Sequence, residues 1–374
     1  MPTANPLRTS AAPRRLVLGA LALACTAAGC AGSGETIVIG TAGPFKEGYA
    51  TMVRHAVEMA VAEVNAAGGV NGRRLEVLAV DDEGDGVKAG AVARSFYQNA
   101  RVVGVVGHAN SGGMVGAAPE YDRGLPAVVP SATSPEITGI SPWVFRVTVN
   151  DSVNGANLAR YAAGLGNRKV VVLYENNVYG RDLAQAFLAA YPGRPLGVDP
   201  IAGDGSKVEP FISYYKGVRP DLVFVAGTEA SGRALLREAV RQEFRTQWLA
   251  GDGWPGVAVD TAAAEGALIA TPVRLDGTDQ GRRFADAFAA RYGVRPDANA
   301  AMAYDAAQLL IRAIGQAGAD RGRIRDWLAT VKGGNAFRGV TGEIRFRPDG
   351  DPDRSGFVMT RVQGGTLVPL EEAR

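Results

Sequence analysis

The alternation of hydrophobic and polar positions from Thr36 onward predicts repeated units of strand and helix. The short valine-rich runs TIVIG, RLEVLAV, VVGVVG and PAVVP are separated by longer segments with helical spacing of apolar residues. In the first of these segments, one helical face would carry Val53, Val57, Val61 and Val64. Strands that are rich in valine and buried on both faces are typical of a parallel sheet covered by helices.

The same pattern begins again after Asn150. Strands are predicted at KVVVLY, PLGVDPI, DLVFVAG, QWLAGD and GALIATPV, with helices between them. Long helices are predicted over about 280–292 and 300–317, and a short one near 323–331. The segments GEIRF and FVMTRV, on either side of PDGDPD, are expected to be antiparallel strands around a turn. The pattern therefore predicts an α/β protein with two parallel sheets in series, and the length suits two domains.

The first 34 residues have the composition of an export signal. An arginine-bearing start precedes the apolar run LVLGALALACTAAGC, which is shorter than the ~20 residues that span a membrane. Cys30 follows Ala27, Ala28 and Gly29, which resembles the lipobox of bacterial lipoproteins, so we expect cleavage before Cys30 and lipid on its side chain. A plain cleaved signal is the alternative, and PRRLVL leaves both the general and the twin-arginine export routes open.

Composition and charge disfavour several classes of function. Loss of residues 1–29 removes three arginines and no acidic residue, which changes the formal charge from +2 to −1. Nucleic acid binding needs a basic surface, so it is not expected. The remaining chain has Cys30, His55 and His108 as its only cysteine and histidines, so we expect no disulfide, no thiolate chemistry, no metal site and no cofactor.

The segment VGHANSGG raises the question whether Ser111 is a catalytic nucleophile. His108 is close in sequence, but Gly107 lies four residues before the serine, so the G-x-S-x-G spacing of a nucleophile elbow is absent. A serine nucleophile also needs a base that is itself oriented by an acid. The sequence therefore favours a serine that binds a ligand without reacting.

Two strand-to-helix junctions predict a site for an anion. A helix is expected to begin near Gly113 with Ser111 as its cap, and the free N–H groups at a helix start bind carboxylates. The next junction, VVPSATSPE, places Ser131, Ala132 and Thr133 beyond a neighbouring strand, where open α/β sheets bind ligands. For either loop alone, a helix cap without a ligand is an equally good interpretation.

Several segments, in this order, resemble the Leu/Ile/Val-binding proteins of branched-chain amino acid ABC importers. They are TAGPFKEGYA, VNAAGGVNGRRLEVLAVDDEGD, VVGHANSGG, PSATSPEIT, VFRV, VYGRDLA and LAGDG. The resemblance implies a type I periplasmic binding protein, which has two Rossmann-like lobes with parallel sheets joined by a three-segment hinge. It implies a first lobe over 35–149 plus 275–333 and a second over 150–274 plus 334–374, after a signal peptide and lipoprotein linker over 1–34.

The resemblance also implies how a ligand is held between the lobes. An α-carboxylate would be bound at Ser111, Ala132 and Thr133, and an α-ammonium at Tyr179 and Asp252. A buried zwitterion needs each of its charges paired, which agrees with this division. The implied protein is not an enzyme. It is a receptor outside the cytoplasmic membrane, monomeric, that delivers a small molecule, an amino acid by expectation, to an ABC permease.

The chain departs from the family at several positions around the ligand. The family's usual disulfide pair falls at Gly84 and Asn110. Asn110 and Thr228 also stand where apolar or aromatic groups usually meet the ligand side chain, while Tyr49 and Trp254 are expected to supply aromatic faces. A pocket more polar than the family's usual one follows, so the alternatives are a receptor or sensor for another small solute, such as an amide or an aromatic acid.

Overall fold

A computed structural model of the chain describes residues 36–166, 169–354 and 356–370. The expected signal peptide and the lipidation site at Cys30 lie outside these residues. No helix among the described residues is both long and apolar enough to cross a membrane. The described chain forms two lobes, each built around its own sheet.

The first lobe contains a five-stranded parallel sheet with the order β2-β1-β3-β4-β5. Its strands are β1 Ile37–Gly43, β2 Leu75–Asp81, β3 Val102–Gly107, β4 Ala127–Val129 and β5 Val144–Arg146. All residues of β1, β3 and β4 are buried, because helices cover both faces. The covering helices are α1 Gly48–Ala66, α2 Gly86–Gln98, α3 Ser111–Tyr121, α9 Asp279–Tyr292, α10 Ala298–Ala317 and α11 Arg321–Leu328.

The second lobe contains a seven-stranded sheet with the order β14-β13-β10-β9-β8-β6-β7. Its strands are β6 Val170–Glu175, β7 Gly197–Ile201, β8 Leu222–Ala226, β9 Gln247–Ala250, β10 Leu268–Thr271, β13 Val358–Gln363 and β14 Thr366–Pro369. Its helices are α4 Asp151–Gly164, α5 Val178–Ala190, α6 Glu209–Val218, α7 Glu229–Arg241 and α8 Thr261–Ala264. The five strands from β6 to β10 are parallel where they pair, whereas β13 is antiparallel to both β10 and β14.

Side chains placed just before several helices explain where those helices begin. Asp85 accepts hydrogen bonds from the first turn of α2, Asn150 from that of α4, and Asn177 from that of α5. Thr278 and Asp297 do the same for α9 and α10. Such caps satisfy backbone N–H groups that have no partner inside the helix.

The chain passes between the lobes three times, and the third crossing lies later than the sequence predicted. The short strands β11 Phe337–Gly339 and β12 Gly342–Ile344 pair with each other, and Phe337, Ile344 and Phe346 are buried in the first-lobe core. The second lobe was expected to resume at 334, but this ribbon stays on α10, where Asp305 accepts hydrogen bonds from Val340 and Thr341. The expected pairing of GEIRF with FVMTRV was therefore wrong, because the apolar side chains of the first segment are buried in the other lobe.

The hinge contains a buried ion pair between the first and third crossings. Arg146, at the end of β5, donates from Nε to Asp351 Oδ1 at 2.8 Å, and only about 1% of its side chain is exposed. The same guanidinium donates to the Ser134 carbonyl and to Thr138 Oγ1. Asn150 Nδ2 also donates to Asp351, at 3.0 Å. These contacts hold the PDGDPD segment, which had been predicted only as a turn, against the first crossing.

Candidate ligand-binding site

A cavity of about 360 Å³ lies between the two lobes, at the carboxyl ends of the parallel strands. From the first lobe it is lined by Tyr49, Gly84, Asp85, Gly86, Ala109, Asn110, Ser111, Gly112, Ser131 and Asn299. From the second lobe it is lined by Asn176, Asn177, Val178, Tyr179, Arg181, Thr228, Asp252 and Gly253. Six of the eight binding residues expected from the sequence line it, namely Tyr49, Asn110, Ser111, Tyr179, Thr228 and Asp252.

The Ser111 hydroxyl stands at the start of α3, facing this cavity. Its Oγ accepts hydrogen bonds from the backbone N–H groups of Thr133 and Ser134, both at 3.2 Å. Among the described residues, no acceptor takes the proton of this hydroxyl, so the O–H can be donated to a ligand. The helix begins at Ser111 itself, with Asn110 as an N-cap residue whose side chain makes no cap bond. The expected start near Gly113, with Ser111 as the cap, was therefore wrong.

His108 does not serve Ser111 as a base. It is fully buried, and its Nδ1 lies 2.6 Å from Asp82 Oδ2. Its Nε2 lies 2.7 Å from the Tyr121 hydroxyl. Because both ring nitrogens have partners in the first-lobe core, the arrangement gives Ser111 no histidine base.

The loop that follows β4, which carries Ser131 to Thr133, packs against Ser111 and holds it in place. Ala132 and Thr133 are buried and do not border the cavity, whereas Ser131 does. Thr133 gives its backbone N–H to Ser111 and its hydroxyl to Asp151 Oδ2 at 2.9 Å. Ser131 donates its hydroxyl to the Ala109 carbonyl at 2.7 Å. The two loops expected to meet at one sheet edge are thus hydrogen bonded to each other.

The second lobe presents hydrogen-bond acceptors to the same cavity. The Tyr179 hydroxyl donates to Asp252 Oδ1 at 3.0 Å and accepts from the Gly253 N–H at 3.1 Å. Burial raises the pKa of Asp252 from 3.8 to about 6, although the bond from Tyr179 acts in the opposite direction. The carboxylate of Asp252 therefore stands in the cavity without a cationic partner among the described residues.

Asp151 is a further carboxylate in this region that the sequence did not single out. It is fully buried at the start of α4, and its Oδ1 has no hydrogen-bond partner among the described residues. Burial raises its pKa well above the ordinary value, and the nearby charge of Asp252 raises it further. In the sequence it stands at the beginning of a predicted helix, where acidic residues are common, so no local signal marks it as unusual.

The family's disulfide positions are linked here by a different bond. Asn110 Nδ2 donates to the Gly84 carbonyl at 3.1 Å, so a hydrogen bond joins the two loops.

Thr228 donates from both its N–H and its hydroxyl to Glu175 Oε1, at 2.7 and 2.8 Å. Trp254 was expected near the ligand, but it is fully buried in the second-lobe core and does not border the cavity.

The chain belongs to the periplasmic binding protein family, whose sequence profile matches residues 36–366. Proteins of this family act outside the cytoplasmic membrane as substrate-binding components of transporters. The chain is similar to Leu/Ile/Val-binding protein homolog 1 of Brucella abortus (strain 2308), with 27% identity over 85% of this chain and 87% of the relative. It is also similar to the leucine-, isoleucine-, valine-, threonine- and alanine-binding protein of Pseudomonas aeruginosa, with 29% identity over 87% and 89%. The resemblance inferred from the sequence is confirmed.

Solved structures of related transporter components have the same two-lobed fold. The substrate-binding protein LivJ of Streptococcus pneumoniae, in complex with isoleucine, has a TM-score of 0.83 and 27% identity, and the match covers 90% of this chain and 99% of that one. A binding protein from Desulfitobacterium hafniense, in complex with Leu, has a TM-score of 0.74 and 30% identity, covering 90% and 100%. A solute-binding protein of R. palustris in complex with benzoate, at 20% identity, shares the fold with a TM-score of 0.82. The predicted α/β architecture with two sheet-bearing lobes is confirmed.

Proposed function

We propose that this protein is the substrate-binding receptor of an ABC importer and that its ligand is an α-amino acid held between the two lobes. The observation that supports the proposal is the division of hydrogen-bonding groups across one cavity. The first lobe offers donors at Ser111 and the start of α3, while the second lobe offers the acceptors Asp252 and Tyr179. A zwitterion with adjacent carboxylate and ammonium groups matches this polarity.

The binding of such a ligand would couple recognition to closure of the lobes. The carboxylate accepts hydrogen bonds from the Ser111 hydroxyl and from the N–H groups at the start of α3. The ammonium donates to Asp252 and to the Tyr179 oxygen. Because the two ends of the ligand are bound by different lobes, the ligand stabilises the closed arrangement, which is the form presented to the permease. The protein acts as a monomer in this proposal and is attached to the membrane by lipid on Cys30.

The experiment that tests this function is thermal unfolding of residues 31–374 with each of the common α-amino acids. A ligand that binds only the folded state raises the unfolding midpoint. The best ligand is then compared with its carboxamide and with its analogue that lacks the amino group. We expect both changes to remove the shift. If benzoate, or the analogue without the amino group, shifts the midpoint as strongly, the protein is a receptor for organic acids instead.

Variants at the two ends of the site test separately how the ligand's ammonium and carboxylate are bound. Asp252→Ala should abolish binding of the best ligand while the variant remains folded. Ser111→Ala should weaken binding by about 1–3 kcal/mol, the usual cost of leaving a polar partner without its hydrogen bond. Retained affinity in Asp252→Ala would contradict the ammonium site.

A further inference from the structure

Tyr49, Thr228 and Asn299 border the cavity, and carboxylates that do not themselves line it stand behind them in both lobes. We call this part of the cavity the acidic end. Burial and neighbouring charges raise the pKa of the Tyr49 hydroxyl, and the charges responsible are the carboxylates of Glu47, Asp82, Glu175 and Glu229. Thr228 is hydrogen bonded to Glu175, and Asn299 to Asp297, whose own pKa is raised to about 6 by burial and in part by Glu229. Each of the three bordering residues thus lies near at least one carboxylate.

Glu47 belongs to the first lobe and has no partner of its own. It precedes α1, its side chain makes no cap bond, and no ion pair involves it among the described residues. Its side chain is half-buried. Burial, followed by the charges of Glu175 and Glu229 in the second lobe, raises the pKa of Glu47. Closure of the lobes therefore brings this unpaired carboxylate towards like charges.

Glu229 approaches the first lobe directly at the start of α1. A side-chain carbon placed on Gly48 would lie 3.2 Å from Glu229 Oε2, so this carboxylate lies against the backbone beside Glu47. Its own partner is Arg233, at 3.0 Å. One guanidinium therefore stands beside several carboxylates at this end, and the balance of charge is negative.

The neutral side chains at the acidic end present acceptors, which is an independent observation. The Thr228 hydroxyl donates to Glu175, so only the lone pairs of Oγ1 remain for a ligand. Asn299 is 8% exposed, and its Nδ2 donates to Asp297 Oδ2 at 3.1 Å. Its Oδ1 receives no hydrogen bond from any described residue. A ligand group that donates hydrogen bonds is complementary to both positions.

Few aliphatic side chains line this cavity. Among the side chains that line it, only those of Ala109 and Val178 are aliphatic. The one cationic side chain in the lining, Arg181, is exposed and hydrogen bonded to Asn176 at 3.1 Å. A half-buried carboxylate without a partner, as Glu47 is, destabilises the protein, and a cation beside it offsets that cost.

We propose that the ligand is an amino acid whose side chain ends in a positively charged hydrogen-bond donor, an ammonium or a guanidinium, that lies at the acidic end of the cavity, near the carboxylates of Glu47 and Glu229. This inference rests on the proposed function, because Ser111 and Asp252 orient the α-carbon so that the side chain extends to the acidic end. Asn299 Oδ1 and Thr228 Oγ1 accept from the same cationic group.

The test is calorimetric titration of residues 31–374 with paired ligands of nearly equal shape. L-arginine is compared with L-citrulline, and L-lysine with L-norleucine; L-leucine and L-glutamate complete the series. We expect the cationic member of at least one pair to bind at least about tenfold more tightly than its neutral partner, as one charge-assisted hydrogen bond implies. Equal affinities within both pairs, or tighter binding of leucine or glutamate, would overturn the inference and leave the amino acid function intact. Absence of binding by every α-amino acid would overturn the proposed function itself.

Two variants locate the cationic group. Glu47→Gln and Glu229→Gln should each reduce the affinity for the cationic ligand about tenfold and leave that of its neutral partner unchanged. Glu209→Gln is the matched control, because its side chain is 67% exposed on α6 of the second lobe. An equal loss for the charged and neutral ligands would show a general structural effect and contradict the assignment.

Discussion

Ser134 in the first lobe donates a hydrogen bond from its hydroxyl to Asp182 Oδ2 in the second lobe, at 2.5 Å. Ser134 follows the loop that supports Ser111, and Asp182 lies on α5, three residues after Tyr179. The bond therefore joins the lobes beside the ligand cavity without the help of a ligand. It contributes to the closed arrangement and hence to the equilibrium on which the ligand acts.

We expect Asp182→Ala to weaken ligand binding, because loss of this bond shifts the equilibrium of the lobes towards the open arrangement. The net contribution of one hydrogen bond is about 0.5–1.5 kcal/mol, and its loss corresponds to a roughly two- to tenfold decrease in ligand affinity. Calorimetry on the single variants and on the double variant with Ser134→Ala measures the coupling. If the effects of the two single changes simply add, the bond does not stabilise closure. Asp286→Ala, on the surface helix α9, is the control.

Ligand affinity should fall as the pH falls below about 6. The pKa of Asp252 is raised to about 6, so at pH 5 the ligand ammonium must displace a proton, which costs about tenfold in affinity per unit of pH. Calorimetry between pH 5 and pH 8 measures the dependence. A flat profile would show that Asp252 does not bind the ammonium.

The same raised pKa predicts how the stability of the ligand-free protein depends on pH. The folded state holds the proton of Asp252 more tightly than the unfolded chain, in which the pKa is near 3.8. The free energy of unfolding should therefore decrease as the pH rises from about 4 through about 6. Asp252→Asn should reduce this decrease, while the buried Asp151 retains its own contribution. Urea titrations of both proteins at several pH values provide the comparison.

Removal of Asp351 should destabilise the protein strongly. Asp351→Ala leaves the Arg146 guanidinium buried without its counter-ion, which typically costs about 3–5 kcal/mol of unfolding free energy. Urea unfolding measures the change. Asp276→Asn breaks an exposed pair with Arg274, at 62% and 46% exposure, and should cost less than about 1 kcal/mol. Similar losses in both variants would contradict the importance of the hinge pair.

The glycine at position 116 fixes how closely α3 approaches α2. A side-chain carbon there would lie 2.1 Å from the Gly86 carbonyl oxygen, so Gly116→Ala must displace α3 and the Ser111 site at its start. We expect a loss of about 1–3 kcal/mol in unfolding free energy and weaker ligand binding. At Gly164 on α4 a side-chain carbon meets nothing within 4 Å, so Gly164→Ala should stabilise the protein by about 0.5–1 kcal/mol. Thermal unfolding of both variants is the measurement, and equal effects would be the contradicting result.

Much of the architecture could be predicted from the sequence because each βα unit has its own local hydrophobic period. The start of α3 and the partner of GEIRF could not, because they depend on contacts with residues far along the chain. Ser111, Tyr179 and Asp252 were found through motif resemblance at strand ends. Asp151 has no such signal, since its special character comes from complete burial near Asp252 and not from its neighbours in sequence.

The acidic end of the cavity illustrates a second limit of sequence reasoning. Glu47 and Glu229 are 182 positions apart in the numbering and belong to different lobes. Each is unremarkable by itself at the beginning of a helix, where acidic residues are common. Only the three-dimensional arrangement brings Glu229 against the start of α1, beside Glu47.

The late position of β13 determines when the second lobe can be completed during synthesis. Its sheet has β13 beside β10, but β10 ends at Thr271 and β13 begins only at Val358, after the last helices of the first lobe. Until then β10 presents an unpaired edge, and the first lobe also lacks the ribbon that packs on α10. Neither lobe of an emerging polypeptide can reach its final structure before the ribbon and β13 have been made, so each lobe waits for segments that follow α11.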